Sequence, residues 1–279
     1  MVPADLIVQS PAHGAHAFAA FARSAGATAL VPVGSGVPAA YRLTGAAPSA
    51  EALAAAHEAR LDAAWVPRDR RLRDVGVVAM DMDSTLITIE CIDEIADYKG
   101  LKDEVSAITE SAMRGEIDFA QSLTRRVALL AGLPVDDLAR VYEERLQLSP
   151  GATRMLAAFK AAGATTALVS GGFTFFTDRL QARLGLDFTR ANRLGVAGDR
   201  LTGRIEGDIV DAQAKARAIR ELRAQHPGLV VVMGDGANDL PMFAEADVSI
   251  AYRAKPVVRA KATHTIDFCG LDAIVNLFT

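Results

Sequence analysis

Residues 75–80 form an uncharged, valine-rich run that leads directly to two carboxylates one residue apart, Asp81 and Asp83. Such a run predicts a strand buried on both faces, which is typical of the parallel sheet of an α/β protein. Open sheets of this kind bind ligands at the carboxyl ends of their strands. Two carboxylates held so close repel each other unless a cation or a shared proton relieves them. We therefore interpret the pair as part of a site.

The composition is that of a globular protein and argues against several classes of function. Of the 279 residues, 51% are hydrophobic and 23% are charged, and the length suits about two domains. The net charge of −4 argues against a protein that binds nucleic acid or an anionic membrane, because such partners require a positive field. We expect a small-molecule substrate and neither of those partners. A homodimer stays open at this stage.

The cysteines and the N-terminus indicate the compartment. Cys91 and Cys269 have no companions at disulfide-framework or zinc-binding spacing. No basic segment precedes the first apolar residues, which argues against a secretory signal, and no apolar stretch is suited to crossing a membrane. We expect a cytoplasmic protein.

The first 70 residues show hydrophobic patterns in the order βαββαβ, with Ser49 as the expected N-cap of the second helix. This order suits a small ferredoxin-like α+β domain and resembles, in its pattern, the amino-acid-binding ACT modules. Because no ligand motif is visible, a purely structural or dimerising role stays open. The charge-dense residues 67–74 read as a connector, so we divide the chain into domains 1–70 and 71–279.

The second domain begins with the valine-rich strand and continues with helical patterns that no strand interrupts. These predicted helices span residues 92–99, 102–114, 119–131 and 136–146. Helices inserted between the first two strands of a sheet are typical of a cap, here at approximately residues 91–149. Strands and helices alternate afterwards, beginning with a helix over 154–163 and a strand over 165–169, and a small hairpin is expected within residues 186–210. The predicted fold is α/β, a Rossmann-like doubly wound parallel sheet with a helical cap insertion.

Polar clusters follow the predicted strands, which suggests that they meet at one edge of the sheet. Carboxylates suit a hard cation such as Mg²⁺, whereas a hydroxyl, glycine N–H groups and a lysine suit a phosphate. No GxxxxGK[ST] loop indicates nucleotide binding of the P-loop type. The clusters are Asp81 and Asp83, Ser170-Gly171-Gly172, Lys215, and Asp235, Asn238 and Asp239.

These clusters, the first of them within Asp81-Met82-Asp83-Ser84-Thr85, resemble in order and separation the four motifs of the haloacid dehalogenase superfamily. Within that superfamily the chain is similar to the phosphoserine phosphatase family, because Glu90 follows the first motif and the cap carries the segments 113–119 and 122–127. The likeness covers about residues 75–270 and leaves the first 70 residues out.

The resemblance implies a Mg²⁺-dependent hydrolysis of O-phospho-L-serine through an aspartyl phosphate, the last step of serine biosynthesis. It makes Asp81 the nucleophile and Asp83 the general acid and base. Its implied metal ligands are Asp81, the backbone carbonyl of Asp83, and Asp235, supported by Asp239. The implied phosphate ligands are Ser170, Gly171 and Lys215.

The resemblance also implies how the amino-acid part of the substrate is bound. Glu90 would face the ammonium group and Arg126 the carboxylate, where a guanidinium fork fits two oxygens. Arg125 competes for that position, since successive helix residues point about 100° apart and only one of the two faces the site. Met113, Phe119 and Asn238 are the further expected substrate contacts. Alternatives are a phosphatase or phosphotransferase for another small phosphate ester, and an amino-acid sensor with a silent enzyme core.

Overall fold

The fold contains an N-terminal and a central β-sheet, seen in a computed structural model that describes residues 3–34 and 38–278. The N-terminal sheet is antiparallel, in the order β2-β3-β1-β4. Its strands are β1 Ala4–Ser10, β2 Ala29–Val33, β3 Ala39–Thr44 and β4 Asp62–Pro67. The predicted βαββαβ order and its ferredoxin-like arrangement are confirmed.

Alternation along β1 gives the N-terminal sheet two packed faces. Leu6 and Val8 point to one face and pack with Phe18 of helix α1, Ala15–Ser24, and with helix α2, Ala50–Glu58. Ile7 points to the other face and joins the core of the central sheet. As predicted, Ser49 caps α2, because its hydroxyl accepts a hydrogen bond from the N–H of Ala52 at 3.1 Å.

The central sheet has the order β11-β10-β9-β5-β6-β7-β8 and is parallel except for its edge strand β8. Strand β5 therefore lies between β9 and β6. The strands are β5 Val75–Met80, β6 Thr165–Phe173, β7 Phe188–Ala197, β8 Arg200–Glu206, β9 Leu229–Gly234, β10 Val248–Tyr252 and β11 His264–Ile266.

Both faces of this sheet are covered, as a doubly wound fold requires. Val78 and Met80 of β5 face one core, whereas Val77 and Ala79 face the other. Helices α7 and α8 pack on the first face, and α9, α10 and α11 on the second. These helices are α7 Ala152–Ala161, α8 Thr174–Leu184, α9 Ala212–Gln225, α10 Leu240–Phe243 and α11 Pro256–Arg259.

The predicted helical cap lies between β5 and β6. Its helices are α3 Cys91–Tyr98, α4 Lys102–Met113, α5 Phe119–Leu129 and α6 Val135–Arg140, followed by a wide turn at Val141–Arg145. Among the described residues, none of the helices is both long and apolar enough to cross a membrane.

One sequence-based boundary was wrong, and one predicted element has an additional pairing partner. Strand β6 does not end at Val169 but continues to Phe173, with an irregular register across Ser170–Gly172. The predicted hairpin within residues 186–210 is confirmed as β7 and β8, which pair antiparallel, and β7 also pairs with β6 and so extends the central sheet. The alternation of side chains does not reveal pairing partners, so the extension of β6 and its pairing with β7 were not visible in the sequence.

The N-terminal sheet is joined to the second half of the chain by buried polar contacts. The carboxylate of Asp62 accepts hydrogen bonds from the N–H groups of Asp267 and Cys269, both at 2.7 Å. Asn276 donates its side-chain amide to Gln9 at 3.0 Å. The sheet is therefore part of the folded body, although the predicted division between residues 70 and 71 stays a prediction.

His264 offers a test of this junction. Its Nε2 lies 2.9 Å from Nη1 of Arg70, and since a guanidinium only donates, the imidazole accepts and is neutral. Burial, and then the charge of Arg70, lower the pKa of His264 to about 3. The unfolded chain, with a histidine pKa of about 6.5, binds the proton first, so stability falls as the pH drops below that value.

We expect this histidine to cost about 2 kcal/mol of unfolding free energy between pH 7.5 and pH 5. His264→Gln should remove that part of the pH dependence, as measured by urea unfolding at both values. His16→Gln, at an exposed position, is the control and should leave it intact. An unchanged pH dependence in His264→Gln would contradict the assignment.

Candidate active site

The polar clusters predicted from the sequence meet at one edge of the central sheet. Because β9, β5 and β6 are adjacent and parallel, their carboxyl ends bring Asp235, Asp81 and Ser170 together. A cavity of about 340 Å³ opens there, between the sheet edge and the cap. Its lining includes Asp81, Asp83, Glu90, Phe119, Arg126, Ser170, Gly171, Asp235 and Asn238.

A buried lysine lies at the centre of the carboxylates. Nζ of Lys215 is 2.7 Å from Oδ2 of Asp81 and 2.8 Å from Oδ1 of Asp239, and its side chain is 1% exposed. Asp211 begins the helix that carries it, accepting a hydrogen bond from the N–H of Ala214 at 2.7 Å. Burial alone would lower the pKa of Lys215, but the charges of Asp239 and Asp81 outweigh it and the pKa is raised. The lysine is therefore a fixed cation.

Asp239 is held by the backbone of the loop after β9. Its Oδ2 accepts the N–H groups of Asp235 at 3.1 Å and Gly236 at 3.0 Å. The close approach requires glycine at position 234, since a Cβ there would come within 2.3 Å of the Asp239 carboxylate. The sequence Gly-Asp-Gly at the strand end thus folds around Asp239.

The carboxylates fit a hard divalent cation. One oxygen from each of Asp81, Asp235 and Asp239 lies within 4.8 Å of the others. Burial, and next the charge of Asp81, raise the pKa of Asp235 to about 6. Burial raises the pKa of Asp239 to about 7 despite the opposing charge of Lys215. An oxygen-only donor set with several carboxylates suits Mg²⁺, and a bound cation would relieve the repulsion.

Asp83 lies outside the cluster formed by Asp81, Asp235 and Asp239. Its Oδ1 accepts the N–H of Cys91 at 3.3 Å, at the start of α3. Burial, followed by the charges of Glu90 and Asp81, raises the pKa of Asp83 well above its usual value. A carboxyl with a raised pKa can hold a proton near neutral pH and release it to a leaving group.

The segment Ser170–Gly172 is fixed by contacts that the sequence did not suggest. The hydroxyl of Ser170 accepts the N–H of Gly172 at 2.8 Å. Asn192 of β7, fully buried, donates to the carbonyl of Gly171 at 2.7 Å and accepts the N–H of Val210, also at 2.7 Å. Since Val210 directly precedes Asp211, this amide ties the predicted phosphate-binding segment to the helix of Lys215.

The structure separates the two candidate arginines. Arg126 lines the cavity, whereas Arg125 is exposed and does not. Nε of Arg126 is buried and has no hydrogen-bond partner in the described part of the chain. Burial lowers the pKa of Arg126, although Asp93 and Glu90 oppose this effect. A buried donor of this kind favours an anionic partner.

Among the other predicted contacts, Glu90, Phe119 and Asn238 line the cavity. The side chain of Met113 lies outside what the structure describes, so its contact with substrate stays a prediction. Sequence reasoning missed Lys255, whose side chain joins the lining from the start of α11. It also gave no role to Thr85, whose hydroxyl donates to Oδ1 of Asp235 at 3.3 Å, although Thr85 belongs to the first motif.

Comparison with known proteins identifies the class. Residues 78–244 match the family described as haloacid dehalogenase-like hydrolase, and residues 211–278 match a second family with the same description. The chain belongs to the haloacid dehalogenase-like hydrolases, and the predicted superfamily is confirmed.

The relatives are more specific. The chain is 52% identical over 217 residues to a phosphoserine phosphatase from Polaromonas sp., covering 75% of this chain and 92% of that relative. It is 51% identical over 216 residues to a phosphoserine phosphatase from Albidiferax ferrireducens, covering 75% of this chain and 91% of the relative.

Solved structures agree with these relatives. An unliganded probable phosphoserine phosphatase from Vibrio cholerae has a TM-score of 0.86 and 36% identity, covering 98% of this chain and 86% of that one. That likeness includes the N-terminal sheet. A substrate-bound phosphoserine phosphatase complex has a TM-score of 0.68 and 36% identity, covering 74% of this chain and 99% of that one.

The buried lysine gives a test of the site's electrostatics. Lys215→Met leaves Asp81 and Asp239 buried without their cation, so we expect a loss of about 3 kcal/mol of unfolding free energy in metal-free buffer. Urea unfolding at pH 7.5 measures it. Lys261→Met, at an exposed position, should change stability by less than about 0.5 kcal/mol. Equal effects of the two variants would contradict the proposed balance of charges.

Proposed function

We propose that this protein is a Mg²⁺-dependent phosphoserine phosphatase, which hydrolyses O-phospho-L-serine to L-serine and phosphate as the last step of serine biosynthesis. One observation carries the proposal: the carboxylates suited to phosphoryl transfer share a cavity with Glu90 and Arg126, which suit an ammonium and a carboxylate. The phosphoserine phosphatases at 51–52% identity support the same activity. The complete set of reactive groups argues against a silent enzyme core.

In the proposed reaction, Asp81 attacks the phosphorus of the substrate. A bond forms between its carboxylate oxygen and phosphorus while the bond from phosphorus to the serine oxygen breaks. The hydrogen bond from the N–H of Met82 to Oδ1 at 2.7 Å and the ion pair of Oδ2 with Lys215 fix the orientation of this carboxylate. A fixed nucleophile avoids much of the entropy loss of a bimolecular step.

Asp83 moves the protons in both halves of the reaction. It donates a proton to the departing serine oxygen, and the upward shift of its pKa, caused mainly by burial, favours the protonated form that this step needs. The resulting carboxylate then accepts a proton from water, whose oxygen attacks phosphorus and releases phosphate from Asp81. Asp83 is thus deprotonated by the first half-reaction and protonated again by the second, which makes it ready for the next substrate.

The proposed metal ligands are the carboxylates of Asp81, Asp235 and Asp239, with the backbone carbonyl of Asp83. When bound there, Mg²⁺ supplies charge stabilisation for the phosphoryl oxygens. On the other side of the phosphate, we assign Ser170, the N–H of Gly171 and Lys215 as ligands. Their donors would balance negative charge as it shifts during transfer.

The residues on the cap side of the cavity are assigned to the serine part of the substrate. We assign Glu90 to the ammonium of the substrate and Arg126 to its carboxylate, with Phe119, Met113 and Asn238 as neighbouring contacts. The buried Nε of Arg126 supports its part, because a substrate carboxylate would supply the acceptor. A cytoplasmic location and homodimerisation stay predictions beside this assignment.

Replacement of the nucleophile tests the chemistry. Asp81→Asn keeps the shape of the side chain but replaces the nucleophilic carboxylate by an uncharged amide, so we expect phosphate release from phosphoserine to fall at least about a thousandfold. Chelation by EDTA should abolish wild-type turnover, and added MgCl₂ should restore it. Asp199→Asn, whose side chain is 85% exposed, is the control and should retain full activity. Wild-type rates in Asp81→Asn would disprove the covalent mechanism.

The pair of adjacent arginines tests the substrate. Arg126→Ala removes the proposed partner of the carboxylate, so we expect KM for phosphoserine to rise about tenfold or more. KM for O-phosphoethanolamine, which lacks the carboxylate, should stay within about twofold. Arg125→Ala is the matched control and should change neither value. The assignment fails if Arg125→Ala has the larger effect, or if both substrates respond equally to Arg126→Ala.

A further inference from the structure

Ser84 lies directly after the two carboxylates of the first motif, in an unusual backbone conformation. Its φ is 54° and its ψ is 4°, in the left-handed region. That conformation is unfavourable for an L side chain, and glycine adopts it without strain. Among the described residues, the non-glycine positions with positive φ are Arg60, Ser84 and Arg253, and of these Ser84 belongs to a motif of the active site. A serine at such a position indicates that its side chain is used.

The hydroxyl of Ser84 contacts Glu90, the side chain assigned above to the substrate ammonium. Its Oγ donates to Oε1 of Glu90 at 2.6 Å, and its N–H donates to the carbonyl of Ile89 at 3.3 Å. These bonds close the segment 84–90 into a loop whose end lies against its beginning. Within residues 3–34 and 38–278, the carboxylate of Glu90 has no other hydrogen bond or ion pair, and Oε2 remains available for a ligand.

We propose that Ser84 is a specificity-determining positioning residue, which fixes the carboxylate of Glu90 for the ammonium group of the substrate. This inference rests on the proposed function and deepens it. Glu90 is exposed at the cavity wall, and a long exposed side chain otherwise samples several rotamers. One hydrogen bond from the left-handed turn restricts that sampling before substrate arrives. This restriction of Glu90 therefore strengthens the binding only of substrates that carry an ammonium group.

The test compares two substrates that differ in that group. O-phospho-L-serine carries the ammonium, and 3-phosphooxypropanoate has hydrogen in its place. For Ser84→Ala we expect KM for phosphoserine to rise about tenfold with kcat within about twofold. Both constants for 3-phosphooxypropanoate should stay within about twofold. In a Glu90→Gln background, Ser84→Ala should add less than about twofold, because the carboxylate on which it acts is already gone.

Ser84→Gly separates the hydroxyl from the backbone. Glycine relaxes the left-handed turn and also lacks the hydroxyl, so the inference predicts the same selective rise in KM as in Ser84→Ala. A role in shaping the loop alone predicts a defect in Ser84→Ala that Ser84→Gly relieves, or an equal loss for both substrates. Either result would overturn the inference, as would unchanged discrimination in both variants.

Ser111→Ala is the matched control, because Ser111 makes the same kind of bond outside the cavity, from Oγ to Oε2 of Glu116 at 2.7 Å. It should change neither substrate's KM.

Measurements on the wild-type protein separate failure of the proposed function from failure of the inference about Ser84. If it turns over both substrates with equal KM, the proposed function fails and the inference fails with it. If it prefers phosphoserine and Ser84→Ala keeps that preference, the function stands and only the inference fails.

Discussion

The contact of one buried ammonium with two carboxylates is the interaction on which the site depends. Lys215 lies within 2.8 Å of both Asp81 and Asp239, at the carboxyl edge of a sheet where all three side chains are almost wholly buried. Removing these charges from water is expensive, and their mutual attraction offsets that cost only with close geometry. The loops after β5 and β9 and the start of α9 must therefore adopt one relative arrangement. A hydrolase site is built upon that arrangement.

The sequence was sufficient to predict the α/β fold, the inserted cap and the meeting of the polar strand ends. Those features follow from local patterns: valine-rich runs, helical periodicity and acids directly after strands. The sequence did not reveal that Asn192 holds the segment Ser170–Gly172 in place or that Lys255 lines the cavity. A single buried amide in strand β7 gives no periodic signal, and its two hydrogen bonds join segments that only the folded sheet brings together. Pairing of β7 with β6 was missed for the same reason.

The choice between Arg125 and Arg126 shows where the boundary of prediction lies. Helix geometry established that one residue faces the cavity and the other does not, but the rotation of α5 about its axis depends on packing. Leu123 and Val127 are almost completely buried, and this orientation carries Arg126 inward. The N-terminal sheet is similar: its strand order was predictable, whereas the packing of Ile7 on the central core was not.

In the proposed function, the groups assigned to phosphoryl transfer and two of the assigned substrate contacts lie on separate stretches of the chain. The carboxylates and Lys215 belong to the parallel sheet and its flanking helix, whereas Arg126 and Phe119 belong to a helical insertion between two strands. An insertion can change its sequence while the hydrogen bonding of the sheet beneath it is preserved. Substitutions in the cap of a related chain could therefore alter the contacts with the alcohol, without rebuilding the groups assigned to phosphorus. The helical insertion can therefore vary in sequence while the parallel sheet and its flanking helix keep the carboxylates and Lys215 in place.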